Sequence, residues 1–252
     1  MNTTQLLAAL DLPSSSRISQ RIPKKLLLEH GAPTAGDKRA IGDGVEELLW
    51  VAALKSNTVG VPEFRDETRE YVEIAILQLA LRSDAKVYRL MELVQRLIPY
   101  PLLLLVELDT KNYVSAVHKR WSQNSAADTV LDGEVTTLEW DTAGEDAIIK
   151  AFAASMSIGN QPRTTLYALY HGWLDSLDAA QAARYTGRFS KSNSAIESAD
   201  RRTALREYER LDADIARLRA TALKETQLAK QVELNLELKR AGALHTAALA
   251  RL

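Results

Sequence analysis

The sequence predicts a mixed α/β (α+β) head domain of about five strands with flanking helices, followed by a long C-terminal coiled-coil-like helix. Three observations carry that reading. Residues 193–252 contain no proline and place apolar side chains at alternating spacings of three and four, the half-heptad pattern by which helices pack side by side. Residues 71–81 and 102–108 are aliphatic runs of strand length, bounded by charged or proline-containing turns. Between them, residues 86–98 return to a helical period, so strands and helices alternate within one domain. The predicted limits are 1–20 for an N-terminal arm, 21–190 for the mixed α/β domain and 191–252 for the helical extension.

In chain order, residues 3–10 form a short apolar helix stopped near Pro13, with a serine run behind it. Pro23 suits a first helical turn, and residues 26–28 give that segment an apolar face before the glycine-rich loop 31–44. Val45, Leu48, Leu49, Ala52 and Ala53 are spaced as on an amphipathic helix, with Asp43 as its cap. Residues 58–61 and 71–81 then change to short apolar runs and predict strands. Val87, Leu90, Met91, Val94 and Leu97 share one helix face, which Pro99 and Pro101 terminate. Residues 102–108 read as a buried strand, 113–121 as its neighbour and 134–140 as a last strand. Asp141 and Thr142 are placed to cap a helix over 143–156, and a further helix over 164–185 is interrupted near Gly172.

The formal net charge of -1 argues against a protein that holds nucleic acid by bulk electrostatics, and leaves room for a local basic face. From residue 191 onward there are twelve Lys or Arg against nine Asp or Glu, a mild basic bias that fits a solvated helix face. The absence of cysteine excludes disulfides, thiolate metal sites and cysteine nucleophiles. The first residues lack a basic start and a long apolar run, and residues 102–106 are far too short to span a bilayer, so a cytoplasmic protein without a membrane segment is expected.

Three stretches, Arg21-Ile22-Pro23-Lys24-Lys25, the run MELVQRLIPYPLLLLV that begins at Met91, and AKQVELNLELK from Ala229, together resemble a bacterial family without an established activity. The resemblance covers nearly the whole chain. It implies a setting beside DNA methyltransferases and superfamily 2 helicases in restriction-type or antiphage defence loci, and it supplies no reaction. Relatives look richer in charge along the strand equivalent to 71–81. Here Gln78 and Ala80 stand at those positions, which speaks against a catalytic role for that strand.

No catalytic, cofactor-binding or metal-binding residues are predicted. A metal-dependent nuclease needs carboxylates gathered at strand ends, and the candidates are Glu46 or Glu47, Glu73 and Glu107, with Ala75 where an orienting lysine would stand. His30, His118, His171 and His245 form no i, i+4 pair, and the phosphate-loop and serine-elbow patterns are absent. Trp50, Trp121, Trp140 and Trp173 read as core or interface anchors. The expected function is a non-enzymatic accessory subunit that self-associates, or binds a helicase or methyltransferase subunit, through the helix seam Tyr208, Leu211, Ile215, Leu218, Val232 and Leu236. Asn235 lies at that seam, where it would set register, or beside it. The alternatives are a DNA-contacting module, with Lys24, Lys25, Arg201, Arg202, Arg206 and Arg210 on phosphates, and a degenerate nuclease around Glu73 and Glu107. A tail folded back as a hairpin is the competing arrangement, with Gly242 as one break point.

Overall fold

The computed structural model describes residues 1–123, 128–143, 146–192 and 194–252. Asn193, the predicted start of the tail, and part of the predicted helix start after Ala143 lie outside them. The described chain divides into two compact units, Met1–Leu177 and Asp178–Leu252.

The first unit is built on a six-stranded mixed sheet. Its elements are α1 (Thr3–Ala9), β1 (Arg17–Arg21), α2 (Lys24–His30), α3 (Ala35–Gly44), β2 (Val45–Lys55), α4 (Ser56–Val59), β3 (Phe64–Arg65), β4 (Glu70–Tyr71), β5 (Glu73–Leu81), α5 (Val87–Leu97), β6 (Leu102–Leu108), β7 (Lys111–Trp121), β8 (Thr129–Asp141), α6 (Ala147–Ser155) and the beginning of α7 (Leu166–Thr186). The sheet order is β1-β2-β5-β6-β7-β8, and β3 pairs with β4 separately. All neighbours are antiparallel except β5 and β6. A parallel pair needs a crossover, and α5 supplies it. Its apolar stripe, Leu90, Met91 and Val94, packs with Leu77, Leu79, Leu104 and Val106 in one buried cluster. On the alternate positions Ile76, Leu103 and Leu105 are also fully buried, so both faces of the central strands are covered, as their unbroken aliphatic sequence requires.

Residues 45–54 are strand β2, not the predicted helix. Register shifts between Val45 and Glu47 and between Trp50 and Ala52 interrupt its alternation, and residues 51–54 are buried in succession. Two bulges thus turn a period of two into spacings of three and four that imitate a helix. Residues 35–44, read as loop, form α3 capped by Thr34, and Asp43 lies inside that helix. Residues 56–59 are a single helical turn, not a strand. The exposed β1, which overlaps the predicted arm, pairs with β2. The N-cap of α6 is Asp146, whose side chain accepts from Ile148 N and Ile149 N, in place of Asp141 or Thr142. α7 continues through Gly172. The missing side chain there serves a close approach, because a Cβ would come within 2.7 Å of Gln161 Oε1 and 2.8 Å of Pro162 Cδ.

In the second unit the tail is a pair of helices, α8 (Ala195–Lys224) and α9 (Leu228–Leu249), packed along one another. A single long helix is therefore corrected to a hairpin. Its break lies at 225–227, not at Gly242, and is made without proline or glycine. The Glu225 carboxylate accepts from Thr226 N (2.9 Å) and Gln227 N (2.8 Å), while Gln231 Nε2 donates to Glu225 O (2.6 Å). Those bonds hold the turn and draw the Glu225 carboxyl below its ordinary range, the Gln227 contact foremost.

Candidate functional site

The predicted helix seam is divided by this hairpin. Tyr208 stacks on His245 at 4.0 Å, and Leu211 and Ile215 are 3% and 8% exposed. Arg251 reaches back to Asp200 (2.6 Å) and Glu207 (2.9 Å), so α9 runs antiparallel to α8. On α9 the better-covered positions are Leu234, Leu238, Ala241, His245 and Ala248, again at spacings of three and four. Tyr208, Leu211, Ile215 and the half-buried Leu218 therefore share an intramolecular seam. Val232 and Leu236 do not belong to it. They are 52% and 53% exposed, and Leu228, one turn before Val232, is 75% exposed. Asn235 is also exposed. α9 is thus apolar on two faces, only one of which its hairpin partner uses.

The six candidate phosphate contacts are only partly available. Lys24 Nζ donates to Gly42 O at 2.6 Å, and desolvation lowers its pKa; Lys25 faces Glu29 at 3.6 Å. Arg201 is 6% exposed and donates to Ser190 O and Leu252 O. Arg202 binds Asp178, whose side chain is 4% exposed, at 2.8 Å. Arg210 pairs with Asp214 at 3.1 Å in an exposed i, i+4 contact, and Arg206 is exposed. Two of the four tail arginines are consumed in holding the unit together.

Nor are the candidate carboxylates gathered. Glu73 lies at the start of β5, paired with Lys55 at 2.9 Å. Glu107 is level with Ala80 in the parallel register, seven residues along, so the two carboxylates stand ~23 Å apart along the strands. Glu107 is held by Thr3 Oγ1 and, at 3.2 Å, by Gln78 Nε2, the polar residue that occupies the place of an expected charge. Glu46 and Glu47 lie on β2, and Glu47 pairs with Arg21. Among the described residues no group of three or more His, Asp or Glu side chains could hold a metal ion.

What the fold does bring together is a line of side chains that sequence spacing alone could not assemble. Tyr71 OH lies 2.5 Å from His118 Nδ1, His118 Nε2 lies 3.0 Å from His171 Nδ1, and His171 Nε2 lies 3.6 Å from Asp175. Tyr167 stacks on His118 (5.1 Å), and Arg69 reaches the Tyr167 hydroxyl at 3.3 Å. Burial pushes the Tyr71 phenol far above its ordinary range, so it stays protonated and donates to His118. The tautomer that accepts there carries its proton on Nε2 and donates onward to His171 Nδ1, while the 3.6 Å from His171 Nε2 to Asp175 exceeds a hydrogen bond. Tyr71 is fully buried, so no substrate meets the phenol, and the line works by fixing α7 against β7. The spacing of His171 and Asp175 is visible in the sequence; their partners lie 53 and 100 residues away from His171, beyond any local pattern.

A second buried polar group sits at the end of α5. Lys119, 3% exposed, donates to Gln95 O (2.7 Å) in the last turn of the helix and to Ile98 O just past its end. Desolvation pulls its amine down to about 7. On the neighbouring face Asp37 accepts from Arg89 at 2.8 and 3.0 Å and from Thr34 at 2.7 Å, which holds its carboxyl down at about 2.

Fold and site together define a protein with a packed mixed-sheet head, a two-helix tail and an uncovered apolar helix face. The chain belongs to the DUF4391 family, a domain of unknown function whose family model matches residues 10–244. Comparison with curated proteins and with solved structures gives no match. Among the described residues no helix is long and apolar enough to cross a membrane.

Proposed function

We propose that this protein is a non-enzymatic accessory subunit of a bacterial restriction-modification-like or antiphage defence system, cytoplasmic, and assembled through the outer face of α9. The observation that carries the reading is the row Leu228, Val232 and Leu236, one helical turn apart and more than half exposed. Covering a Val or Leu side chain contributes ~1.5–3 kcal/mol, so three in one row supply a useful share of a helix-in-groove contact. The setting rests on the resemblance of three sequence stretches to proteins encoded beside helicases and DNA methyltransferases. The partner is accordingly a second copy of this chain or one of those subunits.

Co-expression with the helicase and methyltransferase subunits of the same locus tests this directly. The wild-type chain is expected to co-purify with one of them or with a differently tagged copy of itself, and Val232→Asp with Leu236→Asp to abolish that capture. Retention of every partner by the double variant contradicts the assignment. Binding to DNA alone, steeply weakened by salt, would instead favour phosphate contacts by Lys25, Arg206 and Arg210.

A further inference from the structure

In the head, α5 and the edge strand β8 leave a trough between them. Its outer length, about 360 Å³, is walled by Tyr88, Met91, Glu92, Leu131 and Val135. Its inner length, about 100 Å³, reaches Gln95, Lys119 and Thr129, and Arg96 and Leu131 border both. The outer cavity by itself is of the size that binds small organic molecules, and the inner one adjoins it at Arg96 and Leu131.

The inner end carries an unanswered hydrogen-bonding group. Gln95 is fully buried, and its Nε2 donates to Ser115 O (3.1 Å) and Leu102 O (3.3 Å). Those two carbonyls fix the orientation of the amide, because the flipped form would set oxygen against oxygen. Oε1 therefore takes the other side and accepts from no donor among the described residues. A buried acceptor left unpaired is costly, and Gln95 is among the residues that border the inner cavity, which points to a donor supplied from outside the chain. Beside it, Lys119 Nζ spends two donor positions on Gln95 O and Ile98 O. As an ammonium it retains a third for an incoming acceptor.

We propose that the trough binds a small planar molecule with a lactam edge, an N–H beside a carbonyl, as in a uracil-type nucleobase. The N–H donates to Gln95 Oε1 and the carbonyl accepts from Lys119 Nζ. The remainder of a nucleoside occupies the outer length between Met91, Tyr88 and Val135. This site lies wholly in the head and is independent of how the tail assembles.

Calorimetric titration of the full chain with uracil, uridine and 1,3-dimethyluracil provides the test. Dimethyluracil keeps both carbonyls and lacks the N–H. Saturable binding of uracil and uridine is expected, with roughly tenfold or greater weakening for dimethyluracil. Leu131→Trp, which fills the trough without touching the hydrogen bonds of Gln95 or Lys119, is expected to abolish binding while leaving the urea midpoint in place. Absence of binding by uracil and uridine overturns the proposal. So does equal affinity for dimethyluracil, or undiminished binding by a folded Leu131→Trp chain. A crystal soaked with uridine that shows only a water on Gln95 Oε1 overturns it as well.

Discussion

In β6 the side chains of Leu102, Leu103, Leu104 and Leu105 are fully buried, whereas in α9 Leu228, Val232 and Leu236 are 75%, 52% and 53% exposed. Both rows are aliphatic and the neighbours differ. Strand β6 lies at the centre of a sheet covered on both faces, so every one of its leucines meets partners from its own chain. Helix α9 packs along α8, which covers one stripe, while Leu228, Val232 and Leu236 on the other stay exposed among the described residues. An exposed leucine alone means little, because folded proteins expose much apolar surface. A row of three on one helix face, beside a stripe already satisfied, marks the tail as the part of the molecule with apolar surface still to bury.

The largest effect that separates the two regions is expected from matched leucine truncations. Leu104→Ala leaves a cavity in the head core and should cost ~2–5 kcal/mol in urea unfolding. Leu236→Ala should change the stability of the isolated chain by less than ~0.5 kcal/mol. Equal losses at the two positions would mean that α9 is as fully packed as β6, and the contrast would collapse.

A second comparison lies within the tail unit. Arg202→Met leaves the Asp178 carboxylate, 4% exposed, without its guanidinium and should cost ~3 kcal/mol. Arg210→Met removes a pair whose members are 63% and 34% exposed and should cost no more than ~1 kcal/mol. Thermal or urea unfolding of the two variants distinguishes an arginine that builds the unit from one that decorates it.

A smaller, pH-dependent effect belongs to the head. Arg89 and then Thr34 hold the Asp37 carboxyl at about 2, against an ordinary value of 3.8. A depressed carboxyl stabilises the fold above its unfolded value, and that contribution fades as pH falls from near 4 toward 2. Asp37→Asn should therefore flatten the decline of stability across that window, while stability in the tail unit is unaffected. An unchanged acid limb, followed by circular dichroism, would remove the Asp37–Arg89 pair as its source.

Much of the head was legible because local pattern and final environment agree. The unbroken aliphatic run of β6 and the stripe of α5 each specify their own surroundings. Strand β2 was not legible, since its bulges around Glu46 and Val51 produced a helical period from a strand. The tail was half legible: the spacing identified packing helices, yet it is silent on whether the partner lies in the same chain. The hairpin turns at Glu225, with neither proline nor glycine at 225–227 to mark it. The line from Tyr71 to Asp175 and the unpaired Gln95 Oε1 depend on contacts across long stretches of chain, and no local signal reports them.

The central claim is that the outer face of α9 is an assembly surface. Light-scattering mass tests it most directly, for the wild-type chain and for the Val232→Asp, Leu236→Asp double variant, alone at rising concentration and mixed with the helicase and methyltransferase subunits. These positions are preferred to Ile215 and Leu218, whose substitution would open the hairpin itself. The wild-type chain should exceed its own 27.9 kDa in at least one of these conditions, and the variant, with unchanged helical content, should remain at 27.9 kDa in all of them. A wild-type mass of 27.9 kDa throughout, or a variant that assembles as the wild type does, would contradict the account.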